Sequence, residues 1–205
     1  MEDRRIKVGI SGGTFDPIHY GHLIAAENVR ERFELDKIVF IPVGLPSHKN
    51  LCSVTCAEHR FNMVKEAIST NDFFEVSSIE IEREGLTYTI DTLTELKSIY
   101  GDNTDLFFII GADILNDILS WKDFYKIFPI CEFIAVLRPE HKKEEFENAV
   151  EFLRNAYKAK IHVGDIPLIE ISSTFIRERI KNNRSIKYLV PENVEAYIKY
   201  HKLYK

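Results

Sequence analysis

Ser11–His22 reads SGGTFDPIHYGH and follows directly on the apolar run IKVGI at Ile6–Ile10. Ile6–Ser11 reads as a strand that runs into a glycine turn. From Gly21 to about Phe33 (GHLIAAENVRERF) the apolar residues recur at helical spacing. A strand, a glycine turn and a helix in that order form the opening unit of a parallel α/β sheet. Gly12 and Gly13 let the backbone approach a bulky anion, whose oxygens neighbouring N–H groups can cradle. His19 and His22 are three apart, so both imidazoles share a side if the first helical turn includes them. The helix start, with its exposed N–H groups and dipole, favours a phosphate there.

The same alternation continues along the chain. Lys37–Val43 (KIVFIPV) reads as a strand and Ala57–Ser69 as a helix, and Phe73–Ile81 holds one or two short strands. Thr89–Tyr100 is helical and stops at Gly101. Asp105–Ile110 (DLFFII) and Cys131–Leu137 (CEFIAVL) are continuous apolar runs, as in strands covered on both faces. Between them, Ile114–Leu119 and Trp121–Phe128 give short helical pieces. Lys142–Tyr157 is an amphipathic helix and Lys160–Val163 a short strand. Ser173–Lys181 and Pro191–Tyr204 are helices, the second with proline at its start. The expected fold is a doubly wound, mostly parallel sheet with helices on both faces, in a single domain spanning residues 1–205. In such sheets ligands bind beyond the carboxyl ends of the strands. Gly12–His22, Pro46–Lys49, Gly111–Asp113 and Ile171–Arg177 all fall at that rim.

Bulk properties restrict the function. With 32 acidic against 27 basic side chains the net charge is −5, which argues against broad binding of nucleic acid or a membrane surface. No apolar run approaches a membrane span, and MEDRRIKVGI is not a signal peptide, so the cytoplasm is the expected compartment. Three cysteines (Cys52, Cys56 and Cys131) without an export signal do not suggest a disulfide framework. Cys52 and Cys56 lack an obvious third metal ligand. The glycines do not have the spacing of a Walker A loop or a dinucleotide fingerprint. A monomer and a homo-oligomer both remain open.

Gly12-Gly13-Thr14-Phe15-Asp16-Pro17 followed by His19-x-Gly21-His22 resembles the nucleotidylyltransferases that carry a HIGH-type signature. That resemblance implies a Rossmann-like fold and transfer of a nucleoside monophosphate from a nucleoside triphosphate. Ile171-Ser172-Ser173-Thr174-Phe175-Ile176-Arg177 is similar to the second signature of the group, ISSTxxR. Ser172 to Thr174 also suit a helix cap that meets an anion, and Arg177 lies one turn on from Ser173.

The middle of the chain resembles the nicotinate-nucleotide adenylyltransferases within that group. Pro46-Ser47-His48-Lys49 is similar to their P-P-H-K loop, with Ser47 where proline is usual. Thr87-Tyr88-Thr89-Ile90-Asp91-Thr92-Leu93, Gly111-Ala112-Asp113 with Trp121, and Arg138-Pro139 match further segments. The resemblance implies ATP and nicotinic acid mononucleotide as substrates. The catalytic candidates are His19, His22, Lys49 and Arg177. ATP would lie against Gly12, Gly13, Thr14, Phe15, Gly111, Asp113, Ile171, Ser172, Ser173 and Thr174. The acceptor would meet His48, Thr87, Tyr88, Trp121 and Arg138, with its carboxylate on backbone N–H groups near Thr87 and Tyr88. Trp121 could stack on the cationic pyridinium, worth about 0.5–2 kcal/mol. No acidic cluster suggests a metal cage, so Mg2+ is expected to arrive with ATP, held by its phosphates and by water. The two signatures alone leave other acceptors open, namely nicotinamide mononucleotide, phosphopantetheine or an alcohol phosphate that accepts a cytidylyl group. A non-catalytic nucleotide sensor would be expected to lack a motif histidine or Arg177, and all are present.

Overall fold

The computed structural model describes residues 4–46, 54–136, 143–164, 166 and 169–205. Its main sheet has six parallel strands: β1 (Ile6–Gly13), β2 (Lys37–Pro42), β4 (Phe74–Val76), β6 (Thr104–Gly111), β7 (Glu132–Val136) and β8 (Ile161–Gly164). Their spatial order is β4-β2-β1-β6-β7-β8. The order runs outward in one direction from β1 and in the other from β6, as in a doubly wound sheet. The reversal opens a crevice at the carboxyl ends of β1 and β6. Gly12 and Gly13 end β1, and Gly111 ends β6, so both glycine segments border that crevice.

Period-two alternation explains why the helices cover both faces. Val39, Ile41, Phe133 and Ala135 pack with Ile90, Leu93 and Leu96 of α3 (Thr89–Tyr100), Leu115 of α4 (Ala112–Asp117), and Val150 and Leu153 of α5 (Lys143–Tyr157). Ile38, Phe40, Ile134 and Val136 point to the opposite face. There they meet Val29 of α1 (Tyr20–Arg32), Met63 and Val64 of α2 (Ala57–Ile68), Ile176 of α6 (Ser173–Lys181) and Val194 of α7 (Glu192–Tyr200).

Three differences from the sequence reading have local causes. The last helix ends at Tyr200 rather than Tyr204, because Lys202 and Tyr204 take positive φ values of 55° and 65°. Pro191 is its cap rather than its first helical residue. A second, two-stranded parallel sheet joins β3 (Leu45–Pro46) to β5 (Leu86–Thr87), pairing Pro46 with Thr87. Two-residue strands are too short to carry a period. This small sheet ties the start of the Pro46–Lys49 segment to the Thr87–Tyr88 segment. Among the described residues, no helix is long and apolar enough to cross a membrane.

Candidate active site

The turn after β1 is built around a buried aromatic ring. Phe15 has a left-handed backbone (φ 48°) and packs edge-on to His22 at 5.1 Å and against Phe40 at 5.8 Å. A Cβ on Gly13 would come within 3.0 Å of the Phe15 ring, and one on Gly12 within 3.3 Å of the Phe108 ring. The two glycines therefore also make room for aromatic packing, in addition to any approach by an anion. His19 caps α1 and is buried, while His22 is the third residue of that helix and half-exposed. Their rings stack at 3.7 Å and 24°. The His19 backbone N–H donates to His22 Nδ1 at 3.3 Å. A ring nitrogen that accepts carries no proton, so neutral His22 is the tautomer protonated at Nε2.

The second signature docks on the first. Ser172 caps α6 and accepts from the Phe175 N–H at 3.1 Å, as its place before the helix predicts. The Ser173 hydroxyl donates to the Pro17 carbonyl at 2.8 Å, and Arg177 Nη1 donates to the Asp16 carbonyl at 2.8 Å. Arg177 Nη2 also reaches the Thr174 hydroxyl at 3.3 Å. Buried Ile176, on the inner side of α6, anchors the helix in the core. Hydrogen bonds to carbonyls of the turn thus fix the guanidinium beside the two histidines' loop.

Asp16 is a hub that motif reading alone does not single out as a site residue. Its carboxylate accepts from the Tyr204 hydroxyl at 2.7 Å and from the Thr55 N–H at 3.2 Å. Burial and the facing Asp16 push the Tyr204 hydroxyl above its ordinary pKa, so it stays a donor. Arg60 is a second such residue. It is fully buried and donates to the carbonyls of Thr55 (2.9 Å), Thr14 (2.8 Å), Val43 (2.6 Å) and Gly44 (3.1 Å). One side chain therefore ties the glycine turn to segments on either side of residues 47–53. Burial lowers its pKa, and Asp16 opposes the shift. The sequence does carry a signal: Arg60 lies on the face of α2 that also presents Met63, Val64 and Ile68. A basic residue in an apolar stripe needs internal acceptors.

Glu80 supports the Thr87 segment. It is buried and accepts from the Thr92 hydroxyl at 2.8 Å, and Thr92 in turn accepts from Arg83 at 2.8 Å. Burial raises its carboxyl pKa against the pull of Thr92 and Thr87. Its backbone presses on Gly44, where a Cβ would lie 2.0 Å from the Glu80 carbonyl oxygen, so only glycine fits. The Thr87 hydroxyl donates to the Leu45 carbonyl at 3.2 Å.

On the other side of the crevice Phe108 bridges two predicted groups. It lies under Gly12, and its ring meets Trp121 edge-on at 6.1 Å. Trp121 is half-buried, and both it and Tyr88 pack on the same core. Lys122 places its ammonium 4.3 Å above the Tyr88 ring. Gly111 caps α4, and Asp113 falls in that helix's first turn. His48, Lys49 and Arg138 lie outside the described residues. Among the described residues no cluster of three or more His, Cys, Asp or Glu side chains could hold a metal ion.

A family model described as cytidylyltransferase-like matches residues 10–179, and the chain belongs to that family. It is 50% identical over 203 residues to a probable nicotinate-nucleotide adenylyltransferase of Thermoanaerobacter sp., covering 99% of this chain and 96% of the relative. It is 48% identical over 199 residues to a protein of the same description from Moorella thermoacetica, covering 97% and 92%. A Plasmodium falciparum nicotinic acid mononucleotide adenylyltransferase complexed with NaAD shares the fold, with a TM-score of 0.78 at 23% identity over 97% of both chains. Within the wider family, the chain belongs to the nicotinate-nucleotide adenylyltransferases.

Proposed function

We propose that the protein transfers the adenylyl group of ATP to nicotinic acid mononucleotide, as one nucleotidyltransferase domain working in the cytoplasm. An acceptor phosphate oxygen attacks the α-phosphorus of ATP in line. The bond from that phosphorus to the bridging oxygen breaks, pyrophosphate leaves with the electron pair, and nicotinic acid adenine dinucleotide forms. The attacking phosphate is already ionised near neutral pH, so no general base is needed. Catalysis is positioning and stabilisation of charge.

The observation that carries this reading is the hold of Ser173 and Arg177 on Asp16 and Pro17, beside the stacked His19 and His22. It is supported by relatives near 50% identity that share the name of this reaction. His22, protonated at Nε2, donates to an α-phosphate oxygen. His19 orients it through the stack and the N–H to Nδ1 hydrogen bond. Arg177 and Lys49 offset the charge of the leaving pyrophosphate, and Gly12 to Phe15 with Ile171 to Thr174 line the ATP side. Gly111 and Asp113 belong to that side as well. Thr87, Tyr88, Trp121, His48 and Arg138 take the acceptor, with Trp121 stacked on its ring. When present, Mg2+ supplied with ATP would neutralise phosphate charge and would be held mainly by the nucleotide and water.

The test is pyrophosphate release from ATP and magnesium, with nicotinic acid mononucleotide or nicotinamide mononucleotide as acceptor. Strong preference for the acid supports the reaction and the carboxylate-reading site. Equal use removes the carboxylate argument, and no release with either removes the assigned reaction.

A further inference from the structure

The geometry points to Lys122 as a specificity-determining residue that reads the acceptor's carboxylate; this rests on the acceptor site proposed above. Lys122 directly follows Trp121, whose backbone is extended (φ −72°, ψ 146°). The two neighbours therefore diverge. Trp121 turns to Phe108, and Lys122 crosses to the face of Tyr88, 4.3 Å above the ring. A pyridinium stacked on Trp121, with its substituent toward the Thr87–Tyr88 backbone, would carry that substituent toward this ammonium. The acid and its amide analogue differ at this substituent by one negative charge. A cation beside it separates them by a Coulomb interaction that the amide cannot make.

Lys122 also has a partner it can leave cheaply. Its ammonium lies 3.4 Å from the Asp91 carboxylate, with the two side chains 46% and 43% exposed. Exposed pairs of this kind contribute little and are screened by salt. Exchange of Asp91 for a substrate carboxylate therefore costs little, while the Tyr88 face keeps the ammonium in place. Asp91 becomes a competitor for the same cation. The two residues should then shift acceptor choice in opposite directions.

The experiment measures kcat/KM for the acid and the amide mononucleotides, and KM for ATP, in the unaltered protein, Lys122→Gln, Lys122→Arg and Asp91→Asn. Lys122→Gln should lower the acid-over-amide ratio about tenfold, mainly through KM for the acid, with KM for ATP unchanged. Lys122→Arg should retain most of the preference, and Asp91→Asn should raise it about two- to threefold. High salt should narrow the gap between the unaltered protein and Lys122→Gln. A ratio unmoved by Lys122→Gln in a protein that prefers the acid overturns the inference alone. A parallel rise in KM for ATP makes Lys122 a packing residue and also overturns it. An unaltered protein without acid preference overturns both the inference and the acid reading beneath it.

Discussion

Arg177 donates a hydrogen bond to the carbonyl oxygen of Asp16 at 2.8 Å, across 161 positions of sequence. With the Ser173–Pro17 bond, it fixes the start of α6 on the turn that leads into His19. A guanidinium held by Nη1 on the Asp16 carbonyl and by Nη2 on the Thr174 hydroxyl still has N–H groups to direct at phosphate oxygens, a fork that an ammonium on a flexible stem cannot copy. Arg177→Lys should therefore lower kcat/KM about tenfold or more, while the urea midpoint moves little. Steady-state kinetics alongside an unfolding curve checks both halves.

His22→Ala should reduce kcat by about 100-fold or more, because a donor to the α-phosphate acts chiefly in the transition state. A rise in KM with kcat preserved would instead mark His22 as a ground-state binding residue. Single-turnover rates at saturating ATP decide between them.

Trp121→Ala should weaken the acceptor more than ATP. Loss of a stacking platform worth about 0.5–2 kcal/mol predicts a rise in acceptor KM of about 2- to 30-fold. Equal changes for both substrates would show that Trp121 acts only through its packing on Phe108, which also underlies Gly12.

Arg60→Met should destabilise the fold by on the order of 3 kcal/mol. It would leave the carbonyls of Thr55, Thr14, Val43 and Gly44 without their shared donor. Chemical denaturation measures the loss. Activity at a temperature where the variant is still folded should also fall, since the same side chain spans the glycine turn and Gly44.

Glu80 sets a pH dependence. Its folded-state pKa is raised by burial, so the folded protein holds this proton at pH values where the unfolded chain has released it. The contribution to stability is complete below the ordinary carboxylate pKa and is lost as pH rises through the higher folded value. Glu80→Gln removes that ionisation. The urea midpoint of the unaltered protein should fall, relative to that of Glu80→Gln, on going upward from the ordinary carboxylate range. Parallel curves across this window would show that Glu80 is not the group responsible.

The longer strands are legible because they concentrate apolar β-branched and aromatic residues, such as DLFFII before Gly111. The Ser172 cap is legible for a local reason, since one hydroxyl serves the N–H three residues on. What joins the site together is different in kind. Tyr204 meeting Asp16, or Arg60 meeting Thr14, depends on distant segments whose pairing no local period records. Lys122 above Tyr88 is similar: no motif or period records that the ammonium of one lies over the ring of the other. The Pro46–Thr87 pairing escapes because strands of two residues have no alternation to detect. The overlong C-terminal helix reflects an apolar pattern, with Leu203 and Tyr204 packed on the core, that continues through residues whose backbone is no longer helical.

The contact between Asp16 and Arg177 also has a consequence on the ribosome. The glycine turn emerges early and its clamp about 160 residues later. At about 5–20 residues per second the wait is on the order of ten seconds. During that time β1 can pair with β2, but the turn cannot acquire the guanidinium that completes it. A nascent chain can therefore pair its first strands before the Asp16–Arg177 contact exists, and a product cut short before Arg177 would lack that contact altogether.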